Sequence, residues 1–290
     1  MTDMTTHELD VPGAVLTYDV RESEVPGSPV LLLIGSPMGA AGFGTLSAHF
    51  PDRTVVTYDP RGVERSRRTD GAATSTPEEH ADDLHRLIAV LDAGPVDLFA
   101  TSGGAVNALA LVARHPEQVR TLVAHEPPSA SVLPDRECAM AANRDIHETY
   151  QRSGLGPAMA KFIAIASHKG PITPDLLEAP APDPAMFGLP AEDDGSRDDP
   201  LIGQNIVSCT HYEPDLPALQ AASTQIVLAA GTESEGELAN RGAHAVADRL
   251  GTTPVLFPSG HAGFLGGEYG QTGEPEAFAA RLRAVLDGED

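Results

Sequence analysis

The sequence predicts an α/β protein with a doubly wound, mostly parallel sheet and a helical cap insertion. Three observations support this fold class. Short apolar runs without polar alternation recur along the chain, helical patterns separate them, and one long segment interrupts the alternation. Uninterrupted apolar runs are typical of strands buried on both faces, and strands that alternate with helices form doubly wound sheets.

Six apolar runs are predicted to be strands. The first three are followed at once by turn-forming residues: Gly-Ser-Pro at 35–37, Asp-Pro at 59–60 and Thr-Ser-Gly-Gly at 101–104. These residue types favour turns, so each run ends where a strand would end. The predicted strands cover residues 30–34, 54–58, 96–100, 121–124, 225–230 and 254–257.

The clearest helix lies between the second and third predicted strands. Thr76 is a favourable N-cap, Pro77 suits the first helical turn, and the Gly-Pro pair at 94–95 ends the helix. Apolar residues at helical spacing predict one buried face, formed by Leu84, Leu87, Ile88 and Leu91. Two further helices are predicted over residues 106–114 and 275–286.

Residues 130–215 break the alternation of strands and helices. Their first part, about residues 135–166, has a helical pattern, whereas residues 171–200 hold seven prolines and eight carboxylates. A segment of that composition buries little apolar surface, so we expect a solvated, mobile excursion. We predict a core of residues 1–129 and 216–290 with a cap inserted at 130–215; the alternative is an ordinary long surface loop.

Composition and charge exclude several classes of function. The chain has 290 residues, of which 41% are hydrophobic, and this is enough for a sizeable core. It carries 42 Asp and Glu residues against 19 Lys and Arg, a formal net charge of −23. This charge repels nucleic-acid phosphates and anionic lipids, so we predict no nucleic-acid partner.

No membrane partner is predicted either. The longest apolar run, residues 30–34, is far shorter than the roughly 20 residues of a spanning helix. The polar and acidic residues 1–10 lack the pattern of a signal peptide, and only Cys138 and Cys209 are available for a disulfide. We therefore expect a cytoplasmic protein with two reduced thiols.

Ser102 is the first candidate catalytic residue. It stands in Ala-Thr-Ser-Gly-Gly at 100–104, between a predicted strand and a predicted helix. This is the pattern G-x-S-x-G with Ala100 in place of the first glycine. In that context a sharp strand-to-helix turn exposes the serine hydroxyl and directs the next backbone N–H toward a developing oxyanion. An ordinary helix-capping serine is the competing interpretation.

His261 is the second candidate. It lies in Gly-His-Ala-Gly-Phe at 260–264, directly after the last predicted strand. Loops at the carboxyl ends of parallel strands meet at one edge of the sheet, so His261 and Ser102 would lie close enough for proton transfer. Alone, His261 would be interpreted as a surface residue.

The turn at 35–37 follows the first long strand, and it can supply a second backbone N–H to an oxyanion hole. Its alternative interpretation is a simple turn that ends the strand.

Together these segments resemble the α/β-hydrolase family over about residues 11–286, apart from the cap. The resemblance depends on the order and spacing of four motifs: Leu-Ile-Gly-Ser-Pro at 33–37, Tyr-Asp-Pro-Arg-Gly at 58–62 with Ser66, the turn around Ser102, and the loop around His261. It implies that Ser102 is the nucleophile and His261 the base, and that Ser36 and Gly103 supply the oxyanion N–H groups.

Three positions depart from the family pattern. Ile34 stands where members often have histidine, and Glu64 stands where glycine is usual. The expected position of the triad acid, three residues past Gly231, is Ser234. We choose Glu233 as the acid, with Glu235 and Glu126 as alternatives, because a triad acid can change its position in the chain while keeping its geometry.

The resemblance implies a serine hydrolase that cleaves an ester, lactone or thioester of a small apolar molecule through an acyl-enzyme. Two alternatives stay open. One is a lyase or cyclase of a biosynthetic pathway that uses His261 as a base without acylation, and the other is a non-catalytic ligand-binding protein. The sequence has no phosphate-binding glycine motif or metal-ligand spacing, so we predict no cofactor and no metal. The expected partner is a small-molecule substrate; a homo-oligomer is possible but not indicated.

Overall fold

A nine-stranded sheet forms the centre of the computed structural model, which describes residues 4–23, 25, 27–190 and 192–289. The strands are β1 (Thr5–Val11), β2 (Ala14–Arg21), β3 (Leu31–Ile34), β4 (Val55–Tyr58), β5 (Arg67–Arg68), β6 (Val96–Thr101), β7 (Val119–His125), β8 (Gln225–Gly231) and β9 (Val255–Phe257).

The sheet is mixed but mostly parallel. Its strand order is β1-β2-β4-β3-β6-β7-β8-β9, and β5 pairs with β2. All neighbours from β4 through β3 to β9 are parallel, whereas β1, β2 and β5 add antiparallel pairs at one side. The predicted fold class and the six predicted strands are confirmed. The hairpin β1–β2 was not predicted, because β1 is exposed along most of its length and so carries no apolar pattern.

Ten α-helices accompany the sheet in the described residues. They are α1 (Gly44–Ala48), α2 (Pro77–Leu91), α3 (Gly103–Arg114), α4 (Arg136–Ser153), α5 (Leu155–Ala166), α6 (Pro174–Glu178), α7 (Ile206–Thr210), α8 (Leu216–Ala221), α9 (Leu238–Leu250) and α10 (Pro275–Asp287). Helices α2, α3 and α10 confirm the three predictions, although α3 begins at Gly103 rather than at 106. None of these helices is long and apolar enough to cross a membrane.

The N-terminus of α2 shows why the sequence signal was clear. The Thr76 hydroxyl accepts a hydrogen bond from the Glu79 backbone N–H at 3.3 Å, and the Glu79 carboxylate accepts one from the Thr76 N–H at 2.9 Å. This capping box satisfies two backbone donors that the helix itself leaves without partners.

Helices cover both faces of the sheet. Alternate strand residues point to opposite faces. Leu32 and Leu98 belong to a buried cluster with α2, α3, α8 and α9, whereas Leu31, Leu33 and Phe99 belong to a second cluster with α1 and α10. The sheet is therefore doubly wound, and its central strands are buried on both faces.

Between β7 and β8 the chain forms helices α4 to α8. The predicted helical stretch at 135–166 is two helices, which are separated at Gly154, a residue with φ of +81°. Helices α4, α5 and α7 share a small apolar core of their own, formed by Ile146, Tyr150, Ala158, Ile202 and Ile206. Helix α8 packs instead against α3 and α9 of the sheet layer. The cap boundaries at 130 and 215 stay a prediction.

A buried ion cluster lies at the end of the sheet where the parallel strands β6 and β7 begin. Asp97, near the start of β6, is fully buried and pairs with Arg53 at 2.5 Å and with the Arg120 Nε at 2.8 Å. Arg53 also pairs with Asp287 at 2.8 Å, but that carboxylate is 42% exposed. Arg53 is itself buried, so its charge depends on Asp97 for compensation.

We expect Asp97→Asn to lower the free energy of unfolding by about 3–5 kcal/mol, because it leaves the buried Arg53 charge without its buried partner. Asp287→Asn is the matched control, and the loss there is about 1 kcal/mol or less, since that partner is exposed to water. Urea unfolding of the two variants measures both values. Equal losses would contradict this account of the cluster.

Candidate active site

Ser102 occupies a sharp turn between β6 and α3. Its backbone has φ +55° and ψ −130°, in the positive-φ region that non-glycine residues rarely adopt. The Ser102 N–H donates to the His125 carbonyl at 2.9 Å, which fixes the turn against β7. Strained backbone of this kind persists where the surrounding structure holds it, and such sites are commonly functional.

The two glycines after Ser102 let this turn pack on the loop after β3. A Cβ added at Gly103 would lie 2.6 Å from the Ser36 carbonyl oxygen, and one added at Gly104 would lie 2.9 Å from the Gly35 Cα. Any side chain at either position would collide with backbone. The small residues that marked the motif in the sequence are therefore required by this contact.

Ser36 and Gly103, the predicted oxyanion donors, meet at this contact and border the same cavity as Ser102. In the described part of the chain, neither backbone N–H donates to a protein acceptor. Gly103 is also the first residue of α3, where the helix leaves its N–H groups without internal partners. Two unoccupied donors thus lie beside the serine.

His261 follows β9 by four residues, and its imidazole is held by one carboxylate. Its Nδ1 lies 2.6 Å from the Glu126 Oε2, and its side chain is 40% exposed, so it remains open to the cavity. Within the described residues, the other ring nitrogen, Nε2, has no hydrogen-bond partner. The ring is therefore oriented from behind while Nε2 stays available on the cavity side.

Glu126 lies directly after β7 and is fully buried. Its Oε1 accepts hydrogen bonds from the Gly231 N–H at 2.9 Å, from the Asn240 amide at 3.2 Å and from the Ser234 hydroxyl. Burial acts to raise the pKa of Glu126, but the hydrogen bond from His261, the nearby imidazoles and the Ser234 hydroxyl together hold that pKa well below its usual range. The carboxylate is therefore ionised.

The choice of Glu233 as the acid needs correction, since the carboxylate beside His261 is that of Glu126. Glu233 is exposed and accepts a hydrogen bond from the Ser259 hydroxyl at 3.1 Å; no hydrogen bond joins it to His261 in the described chain. Ser234, at the position where the family usually has the acid, donates to Glu126 instead. Strands β7 and β8 are neighbours, so a glutamate ending β7 reaches the space that an acid after β8 would fill.

The pKa of His261 is raised above its ordinary 6.5. Burial acts to lower it, but the hydrogen bond and negative charge of Glu126, together with the charge of Glu237, act more strongly in the opposite direction. A carboxylate that stabilises the imidazolium makes the neutral ring a stronger base, which is the property that a proton acceptor for serine requires.

His125 forms the wall behind His261 and was not identified from the sequence. The two rings stack with centroids 5.9 Å apart, and the His125 Nδ1 lies 3.0 Å from the Thr101 hydroxyl. Burial lowers the pKa of His125 to about 4, so this ring is neutral near pH 7. Phenylalanines 257, 264 and 278 surround it, and such a buried aromatic residue carries no distinctive sequence signal.

Two cavities meet at Ser102 and His261. The first lobe has a volume of about 360 Å³, and its walls include Phe162, Ile163 and Leu238. The second lobe, about 640 Å³, is bordered by Glu64, Val63, Met159 and Tyr269, among others. Residues of α5 and of the segment before α7 line both lobes, so the chain between β7 and β8 forms much of the walls.

The described residues contain no group of three or more histidine, cysteine or acidic side chains placed to hold a metal ion. Cys138 and Cys209 are both free thiols. The groups that border the cavities with Ser102 include the imidazole of His261 and the backbone of Ser36 and Gly103.

Comparisons with known proteins agree with this architecture. A family model for the alpha/beta hydrolase fold matches residues 28–149. The chain is 31% identical to a protein of Bacillus subtilis named uncharacterized hydrolase YraK, over 97% of this chain and 96% of that one.

Solved structures show the same fold at low identity. An enol-lactonase from Burkholderia xenovorans has a TM-score of 0.68 at 17% identity, covering 97% of this chain and all of its own. A thermophilic esterase from Thermogutta terrifontis has a TM-score of 0.68 at 18% identity, with 98% of both chains covered. The strand order, the turn at Ser102 and the 31% identity with YraK over nearly the whole chain lead to one conclusion: this protein belongs to the α/β-hydrolase family.

Proposed function

We propose that the protein is a serine hydrolase that cleaves an ester, lactone or thioester of a small apolar molecule. Ser102 is the nucleophile, His261 the general base and Glu126 the triad acid, replacing Glu233. The observation that carries this proposal is the 2.6 Å hydrogen bond between His261 and the ionised, buried Glu126, on the wall of the cavity that Ser102 borders.

In the first half-reaction, the His261 Nε2 takes the proton of the Ser102 hydroxyl as the oxygen attacks the substrate carbonyl. The negative charge that forms on the carbonyl oxygen is stabilised by the backbone N–H groups of Ser36 and Gly103. Protonated His261 then returns its proton to the leaving group, and an acyl-enzyme on Ser102 remains.

In the second half-reaction, His261 removes a proton from water as the water oxygen attacks the acyl carbonyl. The bond between the acyl carbon and the Ser102 oxygen then breaks, His261 returns the proton to that oxygen, and the acid is released. Glu126 keeps its charge throughout. It holds the Nδ1 proton of His261 and stabilises the imidazolium that forms twice in each cycle. Because three further donors fix its carboxylate, it does this without reorganising.

The shape of the site supports a small substrate with apolar parts. The first lobe is mostly apolar, and its volume of about 360 Å³ suits a small ligand. We propose that residues 130–215 act as a cap. Its helices α5 and α7 enclose this lobe, and their side chains determine which substrate fits. The esterase and the enol-lactonase of the same fold support ester and lactone substrates.

The first test of the proposed function is intact-mass spectrometry after treatment with a fluorophosphonate. We expect a single covalent adduct on the wild-type protein and none on Ser102→Ala, because only an activated serine reacts. A folded wild-type protein that forms no adduct would contradict an acyl-enzyme mechanism and favour the lyase or binding alternatives.

Glu126→Gln and Glu233→Gln form a matched pair for the triad acid. We expect Glu126→Gln to lower kcat by about 10²–10⁴-fold, since the imidazolium loses its charged partner. Glu233→Gln removes an exposed carboxylate of equal size, and kcat should change by about twofold or less. Steady-state hydrolysis of an aryl acetate measures both. The opposite order would restore Glu233 as the acid.

The pH dependence of kcat/KM tests the raised pKa of His261. His261 must be neutral to accept the serine proton, and its folded pKa lies above 6.5, so activity falls with decreasing pH and reaches half its plateau above pH 6.5. In Glu126→Gln this midpoint should move to lower pH, because the charge that raises the pKa is gone. The same midpoint in both proteins would refute the assignment.

A further inference from the structure

Glu64 has a backbone conformation that a glycine would adopt more easily. Its φ is +46°, in the left-handed region that is costly for a residue with a Cβ. The hydrogen bonds of the turn that contains it do not use the Glu64 side chain: the Asp59 carboxylate accepts from the Arg65 N–H, and the Ser66 hydroxyl donates to the Asp59 carbonyl. The side chain of Glu64 is therefore not explained by the turn.

The residue Glu64 is exposed, and one hydrogen bond orients its carboxylate. The Tyr269 hydroxyl donates to its Oε1 at 3.0 Å, and Tyr269 is itself at φ +54°. Gly39 leaves room on the other side, since a Cβ added there would lie 2.6 Å from the Asp59 Oδ1 and 2.9 Å from the Glu64 Cδ. Two positions in separate loops, Tyr269 and Gly39, thus border this one carboxylate.

Glu64 borders the second lobe, together with Ser102 and His261. Asp199 also borders this lobe, but its Oδ1 accepts the Leu201 and Ile202 N–H groups at 3.0 and 2.7 Å, so it serves as a helix cap. In the described chain, the Glu64 Oε2 has no hydrogen-bond partner. It is the carboxylate in this lobe that a ligand can use.

Among the described residues that line the two lobes, none is a lysine or arginine that could compensate this charge. Arg65, the nearest neighbour in sequence, binds Asp19 at 2.7 Å and Asp59 at 2.6 Å. The first lobe adds a further carboxylate, Glu237. Each of the two lobes that meet at Ser102 is therefore lined by a glutamate and, among the described residues, by no lysine or arginine side chain.

We propose that Glu64 is a specificity-determining residue, and that the second lobe takes the part of an ester substrate that carries an alkylammonium group. This inference rests on the proposed serine-hydrolase function and adds the charge of the substrate to it. Three observations support this inference. Among the described residues, the Glu64 carboxylate has no basic partner in the second lobe. It accepts a hydrogen bond from Tyr269 and packs beside Gly39, and it borders the same cavity as Ser102.

The test compares acetylcholine with its neutral isostere, 3,3-dimethylbutyl acetate, which differ in charge but hardly in shape. We expect wild-type protein to prefer the cationic ester in kcat/KM. Glu64→Gln should lower the cationic-to-neutral ratio about fivefold, as expected for one partly exposed charge pair. Glu64→Gly should lower it as much while relieving the backbone strain, so it serves if the glutamine variant folds poorly.

Glu213→Gln is the matched control, because it removes an exposed carboxylate that borders neither lobe. The cationic-to-neutral ratio of kcat/KM in this variant should equal that of the wild type. A ratio unchanged in both Glu64 variants would overturn the inference, and so would an equal fall in Glu213→Gln, which would indicate only the net charge of −23.

A failure of the proposed function is distinguishable from a failure of this inference. Fluorophosphonate labelling of Ser102 reports the nucleophile regardless of Glu64. If neither ester is hydrolysed, calorimetric binding of choline and of 3,3-dimethylbutan-1-ol to Ser102→Ala measures the same selectivity. Preference for choline that Glu64→Gln abolishes would support the inference, and equal binding of the two alcohols would overturn it.

Discussion

The buried carboxylate of Glu126 is the interaction on which the site depends. An ionised group in a protein interior is costly unless it is paired and fully hydrogen-bonded. Here the partners come from the end of β8, the loop after it, helix α9 and the loop after β9. The hydrogen bonds to this one carboxylate therefore fix four parts of the chain relative to β7, and they also set the orientation of His261.

Much of this arrangement is visible in the sequence. Buried parallel strands have uninterrupted apolar runs, and the turns that end them need small residues, so the sheet and the positions of Ser102, His261, Ser36 and Gly103 follow from local patterns. The acid does not. Whether Glu126 or Glu233 reaches the imidazole depends on the register of β7 against β8 and on side-chain directions, and neither of these is encoded within a short segment.

Two other features could not be predicted from local sequence patterns, and the reasons differ. The hairpin β1–β2 is held by backbone pairing along an exposed edge, so β1 shows no buried face. His125 acts as an aromatic wall, and its sequence context is that of any buried strand residue. The partner of His125, the ring of His261, lies far away in the chain, whereas β1 and β2 are neighbours in sequence and pair through their backbones without needing an apolar pattern in β1.

The site groups follow four strands that are parallel to one another. Ser36 comes after β3, Ser102 after β6, Glu126 after β7 and His261 after β9. Their spacing is inherited from the sheet, whose strands are about 4.8 Å apart. The walls of the first lobe come largely from a segment that adds no strand to that sheet. Over evolutionary time, substitutions in the walls can change which molecule binds while the reaction itself is preserved. Relatives of this chain can therefore share one chemistry and differ in their substrates.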